Sequence, residues 1–289
     1  MQKPNIVGFN GIVELENSVR NLDRAIRFPV YYKKQLGDET AVFEEAKENC
    51  AIYNIDKKRL AKIFTDKYSL LEHNEAFGYI TDTLRHLNIT NVSGFVKSWN
   101  GDVVQLLVKF DDIKIADDSE QGLNLGFMIS NSYNGWSAFK GSAWAYRSIC
   151  ANGMIIGSVI TDCKFWEMHY GKPKETFLKE LEIFINNLIT NCGELQNYVN
   201  EAIKDTVEWN LAKNILKAIL EVEKHRIMLS NRLRYIYDEK GSINRWDLFN
   251  LVTELASNGE SISYGYEQYL QKRAEQILTC TIPEMKINK

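Results

Sequence analysis

The sequence lacks the residue patterns that mark the common nucleotide-dependent and hydrolytic enzymes. No Gly-Lys-Ser or Gly-Lys-Thr triplet occurs, which excludes a P-loop, and no G-x-G-x-x-G stretch opens a helix as a Rossmann fold requires. A G-x-S-x-G nucleophile elbow is also absent. The four histidines show neither HxH nor HxxxH spacing, so there is no histidine zinc motif. These absences favour a function other than catalysis, and the sequence predicts no cofactor.

The cysteines and the apolar runs exclude two further classes of protein. Five cysteines are present, an odd number without a CxxC pair, which argues against a disulfide framework or a cysteine zinc site. No stretch approaches the roughly 18 apolar residues of a membrane span, and the N-terminus shows no apolar signal core. We therefore expect no membrane partner and a cytoplasmic location, in the host cell cytoplasm if the protein is viral.

The chain has no overall excess of basic residues. Its formal net charge is −3, whereas nucleic-acid-binding domains are usually basic. Residues 1–120 carry 16 Lys and Arg against 19 Asp and Glu, whereas residues 121–289 carry 19 of each. This composition counts against nucleic-acid binding across the whole surface and leaves a local basic site open.

An acidic segment runs from Asp111 to Glu120, with Lys114 as its one cation. Several carboxylates close together suit a hard divalent cation, so a metal-dependent nuclease is one hypothesis. The segment lacks the Gly and Glu positions of an EF-hand loop. We favour a solvated loop that keeps a sheet edge from pairing, and we predict no metal site.

The order of hydrophobic patterns predicts an α+β fold, in which N-terminal helices and a C-terminal helical bundle flank a central antiparallel meander sheet. Residues 1–50 are weakly patterned and are interpreted as an irregular N-terminal leader. Residues 51–280 are expected to form a single α+β domain. Residues 281–289 are expected to be a loose tail.

Alternating apolar and polar residues place the sheet at residues 91–168. Its clearest part is a hairpin over residues 92–110, because Asn100-Gly101 between two alternating runs is a strong hairpin signal. Further strands are predicted at 123–130, 136–150 and 155–166, with Asn-Gly pairs between them.

Helical spacing predicts helices on both sides of this sheet. On the N-terminal side they cover residues 56–88, as two helices at 56–66 and 69–88. On the C-terminal side they cover residues 174–278, ending with helices at 245–256 and 264–278.

Aromatic and basic residues interleave in the centre of the sequence. Aromatic faces can stack on bases while cations follow the phosphates, as in proteins that bind single strands without sequence preference. Ordinary cross-strand packing of aromatics is the alternative interpretation. The candidate nucleic-acid-binding residues are Trp136, Phe139, Lys140, Trp144, Tyr146 and Arg147.

Four stretches of the chain resemble a phage- and plasmid-associated family known as domain of unknown function 932. The segment 131–135 reads N-S-Y-N-G, and 147–154 reads R-S-I-C-A-N-G-M, which is similar to the family's R-x-x-C-x-N-G-M. The stretches 68–77 and 246–254 (W-D-L-F-N-L-V-T-E) fit in the same order. The resemblance spans about residues 50 to 280.

The family has no settled activity, but its gene contexts suggest DNA replication or recombination. The leading hypothesis is therefore a non-enzymatic nucleic-acid-binding protein of a virus or plasmid, which binds or anneals single-stranded DNA in replication or recombination, with homo-oligomers as an option. One alternative is a protein-interaction module, such as an inhibitor of a host defence complex, whose partner is a host protein. The other is the metal-dependent nuclease.

Overall fold

The computed structural model describes residues 4–36, 40–116, 123–147, 152–155, 164–167, 174–258 and 262–279. Within these ranges the chain has an α+β fold with antiparallel sheets, as the sequence predicts. In the first half the elements are β1 (Asn5–Asn10), α1 (Ile12–Arg20), β2 (Ala25–Leu36), β3 (Thr40–Asn54), β4 (Arg59–Thr65), α2 (His73–His86), β5 (Val92–Trp99), β6 (Val103–Ala116) and β7 (Leu123–Ser132). In the second half they are β8 (Phe139–Arg147), β9 (Asn152–Ile155), β10 (Lys164–Glu167), α3 (Lys174–Thr190), α4 (Cys192–Lys204), β11 (Thr206–Val207), α5 (Trp209–Ile219), α6 (Glu223–Lys240), β12 (Ile243–Asn244), α7 (Arg245–Asn258) and α8 (Tyr264–Thr279).

The large sheet has the strand order β1-β5-β6-β7-β8-β10, and β9 also pairs with β8. Every pairing is antiparallel, so β5 to β8 form the predicted meander. The β5–β6 hairpin turns at Asn100 and Gly101, whose φ angles of 55° and 74° are those an Asn-Gly turn provides.

The first 50 residues are not an irregular leader. Strand β1 pairs with β5 at the edge of the large sheet, and Leu15 and Val19 of α1 are buried in the main core. Strands β2, β3 and β4 form a second sheet in the order β2-β3-β4, which we call the small sheet. The weak pattern reflects edge strands and a ribbon with little buried surface, which leave no clean alternation in the sequence.

The helix predicted at 56–66 is also wrong, because β4 occupies Arg59–Thr65. Its apolar residues fit helical spacing, but its backbone groups pair with β3 instead, and tertiary pairing overrides local propensity. Asp56 caps no helix. Its carboxylate accepts hydrogen bonds from the backbone N–H and the guanidinium of Arg24.

The other predicted helices are present with small changes. The helix expected at 69–88 begins at His73, and the last two helices lie where expected. The long C-terminal pattern divides three times, between α3 and α4 near Gly193, between α4 and α5 at β11, and between α5 and α6. The predicted tail at 281–289 lies outside the described residues.

One hydrophobic core joins the large sheet to α1, α2 and the C-terminal helices. Phe127 of β7 lies at its centre, with ring centroids 5.7 Å from Phe110 and 6.0 Å from Phe184 of α3. A buried ion pair between Lys97 Nζ and Glu267 Oε1, 3.0 Å apart, ties β5 to α8. Among the described helices, none is long and apolar enough to cross a membrane.

Candidate nucleic-acid interface

The structure separates the residues that the sequence suggests as a nucleic-acid groove. Phe139 is completely buried and packs 6.1 Å from Phe77, so it cannot stack on a base. Successive strand residues point to opposite faces, and Phe139 lies on the core face. Trp136, by contrast, is 64% exposed in the loop before β8. Phe139 is therefore removed from the candidate site.

Trp144, Tyr146 and Arg147 lie in the C-terminal half of β8. Their backbones pair with residues 123–126 of β7 and with β9. Their side chains lie outside the described part of the structure, and their role in binding stays a prediction.

Lys140 belongs to a polar row that crosses the large sheet. Direct cross-strand pairing aligns Lys97, Gln105, Ser130 and Lys140 on one face of β5 to β8. Gln105 and Ser130 are fully buried, and within the described part of the chain the side-chain polar atoms of both lack a hydrogen-bond partner. Burial lowers the pKa of Lys140 below its ordinary value. Lys140 is half-buried beside apolar strands, so it is a poor phosphate ligand.

The motif at 131–135 forms a buried hydrogen-bond network rather than a surface. The Tyr133 hydroxyl accepts a hydrogen bond from the backbone N–H of His73 (2.9 Å) and donates one to the carbonyl of Asp23 (2.7 Å). The ring of Tyr133 stacks on His73, with centroids 3.8 Å apart. Burial is the main cause that raises the pKa of Tyr133 far above its ordinary value. The tyrosine therefore joins three segments of the chain as a neutral donor and acceptor.

The imidazole of His73 is fixed from both sides. The Asn131 amide lies 3.0 Å from His73 Nδ1, and the carbonyl of Gly101 lies 3.3 Å from His73 Nε2. A carbonyl can only accept, so the proton sits on Nε2 and Nδ1 accepts from Asn131. With both ring nitrogens engaged and no exposed surface, His73 holds the start of α2 against β7.

The same network attaches the small sheet to the large one. Asn54 of β3 donates to the carbonyl of Gly101 (3.2 Å) and to the carboxylate of Asp102 (3.2 Å). Arg59 of β4 forms an ion pair with Asp102, which is almost fully buried. A Cβ at Gly101 would lie 1.6 Å from Asp23 Oδ2, so this turn needs a glycine for close approach as well as for its positive φ.

The loop between β7 and β8 packs on the edge strand β4. A Cβ at Gly135 would lie 2.9 Å from Cε1 of Phe64 and 3.3 Å from Nζ of Lys62. Lys62 lies over the ring of Phe64, 5.3 Å from its centroid. Trp136 follows Gly135 directly, so an exposed indole and an exposed ammonium group lie on neighbouring parts of one surface.

Three exposed lysines follow this edge of the small sheet. Lys58 precedes β4, Lys62 lies within it and Lys67 follows it, and β4 itself is about 20 Å long at the usual strand rise. In the described residues none of the three forms an ion pair, whereas Lys57 pairs with Asp23 and Arg59 with Asp102. We call Lys58, Lys62, Lys67 and Trp136 the basic edge.

Sequence reasoning missed the basic edge although a charge signal was present. Residues 57–67 contain five Lys and Arg and one Asp, a net +4. Residues 24–67 contain ten basic and seven acidic residues, a net +3, which leaves −6 for the rest of the chain. The assignment of 56–66 to a helix hid this arrangement, because it did not place the lysines beside Trp136.

The acidic segment is partly engaged with protein donors. Asp111 accepts from Ser93 Oγ (2.9 Å) and pairs with Lys109, and Asp112 accepts from the Asn91 amide (2.6 Å). No group of three or more metal-ligating side chains occurs in the described ranges. Asp117, Asp118 and Glu120 lie outside them.

An open pocket of about 390 Å³ lies beside the Asn100–Gly101 turn, between α1, β1 and β5. Asn5, Asn17 and Ser98 are typical of its lining, and Asp23 and Lys57 are its charged residues. None of its described lining residues is aromatic. The described lining therefore offers hydrogen bonds but no stacking surface, and it includes no residue of the basic edge.

Comparison with known proteins yields no match among the family models, the curated proteins or the solved structures. The resemblance to the phage- and plasmid-associated family therefore rests on the motifs alone and stays a prediction.

Proposed function

We propose that the protein binds single-stranded DNA through the basic edge, as a non-enzymatic component of a virus or plasmid that acts in the cytoplasm. The lysines neutralise phosphates and Trp136 stacks on a base, which together form the usual pattern of sequence-tolerant single-strand binding. The family resemblance, with its links to replication and recombination, supports the same function.

The observation that carries this proposal is the rigid presentation of an exposed indole. The backbone N–H of Trp136 donates to Asn134 Oδ1 (3.1 Å), and the next residue, Ser137, exchanges two hydrogen bonds with Ser132. Ser132 and Ser137 are both buried. A loop fixed in this way loses little conformational entropy when its side chain stacks on a ligand. The surface is therefore preorganised for binding.

The number of phosphate contacts sets the expected salt dependence of single-stranded DNA binding. Each phosphate contact contributes about −0.7 to the slope of log K against log salt for a single strand. Three lysines therefore predict a slope near −2, so binding should weaken roughly 15- to 20-fold between about 50 and 200 mM salt. Few contacts and an acidic remainder of the chain make this a moderate, salt-sensitive binder.

A titration of fluorescently labelled oligothymidylate of about 20 nucleotides tests the proposal. Anisotropy should report binding at low salt, with the salt dependence above and with weaker binding to a duplex of equal length. No binding at low salt, or binding that salt does not affect, contradicts the proposal. A specific host protein recovered from lysate without nucleic acid would then favour the protein-interaction module.

A further inference from the structure

The small sheet continues into a two-stranded ribbon. Strands β2 and β3 pair from Ala25 and Asn54 as far as Leu36 and Thr40, whereas β4 pairs only with residues 49–54. Residues 30–36 and 40–47 thus form a ribbon with no third strand among the described residues. A two-stranded hairpin is marginally stable in water by itself.

The ribbon carries large exposed apolar side chains. Phe43 is 67% exposed, Tyr31 56% and Tyr32 48%. Tyr31 lies opposite Glu45 and Phe43 opposite Lys33, which makes Tyr31 and Phe43 diagonal neighbours on one face of the ribbon. Tyr32 points to the other face. Contiguous exposed apolar surface on a soluble domain usually marks an interaction site.

The two open edges of the ribbon have opposite charge. The part of β2 in the ribbon, residues 30–36, contains Lys33 and Lys34 and no acidic residue. Strand β3 contains Glu44, Glu45 and Glu48 with a single Lys47. Two β2 edges, or two β3 edges, would place like charges on adjacent strands, which is destabilising, whereas a β2 edge beside a β3 edge pairs unlike charges.

We propose that the ribbon binds a second copy of this chain head to tail, with the β2 edge of one copy against the β3 edge of the next. This arrangement continues the antiparallel order, because the β2 strands of successive copies run in the same direction. It completes the unpaired edges and places the exposed aromatics of successive copies next to one another on the faces of one continuous sheet. A head-to-tail contact does not close on itself as a two-fold dimer does, so it produces a ring or an open chain.

Charge complementarity selects a second copy over the other possible occupants. A single strand of DNA would meet the acidic β3 edge, and an acidic peptide would satisfy only the β2 edge. The inference does not depend on the basic edge, because Lys58, Lys62 and Lys67 are not part of the ribbon.

Charge exchange provides the test, measured by size-exclusion chromatography with light scattering. The wild type should form assemblies of two or more copies that grow with protein concentration and shrink with salt. Lys33→Glu with Lys34→Glu makes both edges acidic, and Glu45→Lys with Glu48→Lys makes both basic. Each variant alone should have the mass of one chain, and an equimolar mixture should recover the larger mass.

The controls separate this contact from folding and from DNA binding. Lys217→Glu with Lys224→Glu, a matched pair on α5 and α6, should leave the assembly intact. Circular dichroism should show that every variant is folded, and each should bind a short oligothymidylate like the wild type. A wild type that stays one chain at all concentrations, or charge-exchanged variants that do not reassociate when mixed, would overturn the proposal.

Discussion

The large sheet and the small sheet use polar residues in opposite ways. In the large sheet Asn131, Ser132 and Tyr133 of the polar motif are buried, and the Asn131 amide and the Tyr133 hydroxyl join β7 to the start of α2 and to the segment before β2. In the small sheet the lysines at both ends of β4 are exposed and unpaired within the described residues. The segment that is easiest to recognise in the sequence is thus architectural, and the candidate function lies on the weakly patterned part beside it.

The two sheets meet at Gly135 and Gly101. This contact brings Trp136 close to the lysines of the small sheet. The large sheet fixes the loop that presents Trp136, and the small sheet supplies the lysines. Variants in the network should therefore change stability, whereas variants on the basic edge should change binding alone.

The largest effect is expected from removing the buried hydroxyl of Tyr133. Tyr133→Phe leaves the N–H of His73 and the carbonyl of Asp23 without their partner, and each unsatisfied buried group costs about 1–3 kcal/mol. Urea unfolding should show a loss of about 2–4 kcal/mol. Tyr235→Phe, at a site 64% exposed, is the matched control and should change stability by less than about 0.5 kcal/mol. Equal effects of the two variants would refute the structural role of Tyr133.

The next effect concerns the lysines of the basic edge. Replacing Lys58, Lys62 and Lys67 together by Gln should weaken oligothymidylate binding about 100-fold at about 50 mM salt and bring the salt slope close to zero. Urea unfolding should be unchanged within about 0.5 kcal/mol.

Three exposed lysines of α5 and α6 provide the matched control for this variant. Lys213, Lys217 and Lys224 replaced together by Gln make the same charge change and should leave the slope near −2. A loss of binding in the control as large as in the basic-edge variant would show that net charge matters and the site does not.

The indole of Trp136 should contribute somewhat less to oligothymidylate affinity than the three lysines together. Trp136→Ala removes one stacking surface, worth about 1–3 kcal/mol or roughly 5- to 150-fold in affinity, without changing the salt slope. Tyr235→Ala is the matched control, because both side chains are 64% exposed. Binding by Trp136→Ala that equals the wild type would remove the indole from the interface.

The smallest effect is a gain in stability within the polar row. Gln105→Met replaces a fully buried amide, whose two polar atoms have no partner among the described residues, with an apolar side chain of similar shape. Relieving that burial should raise the unfolding free energy by about 1 kcal/mol, with DNA binding unchanged. A destabilised Gln105→Met variant would indicate that an ordered water or a bound group satisfies this amide.

The sequence was informative where turn chemistry and alternation agreed. The Asn100-Gly101 pair and its alternating flanks located the hairpin and the meander, and helical spacing located α7 and α8. Strand β4 could not be predicted in this way, because Leu60, Ile63 and Phe64 fit a helical face as well as a strand. Only its pairing with β3, a contact outside the local sequence, decides between the two.

The candidate site was partly predictable. The rule that neighbouring strand residues point to opposite faces already separates Phe139 from Lys140, so both could not line one groove. Trp136 is exposed because the loop before β8 keeps it off the core, which strand alternation alone does not predict. Its lysine neighbours are about 70 residues earlier in the chain, a distance that no local pattern bridges.

Photo-crosslinking tests the central claim most directly. Oligothymidylate carrying 5-iodo-deoxyuridine would be irradiated with the wild-type protein at low salt, and the attached peptide would be identified by mass spectrometry. The proposed surface predicts attachment at Trp136, lost in the variant that replaces Lys58, Lys62 and Lys67 by Gln. Attachment at the helical side of the molecule, with none at Trp136, would contradict it.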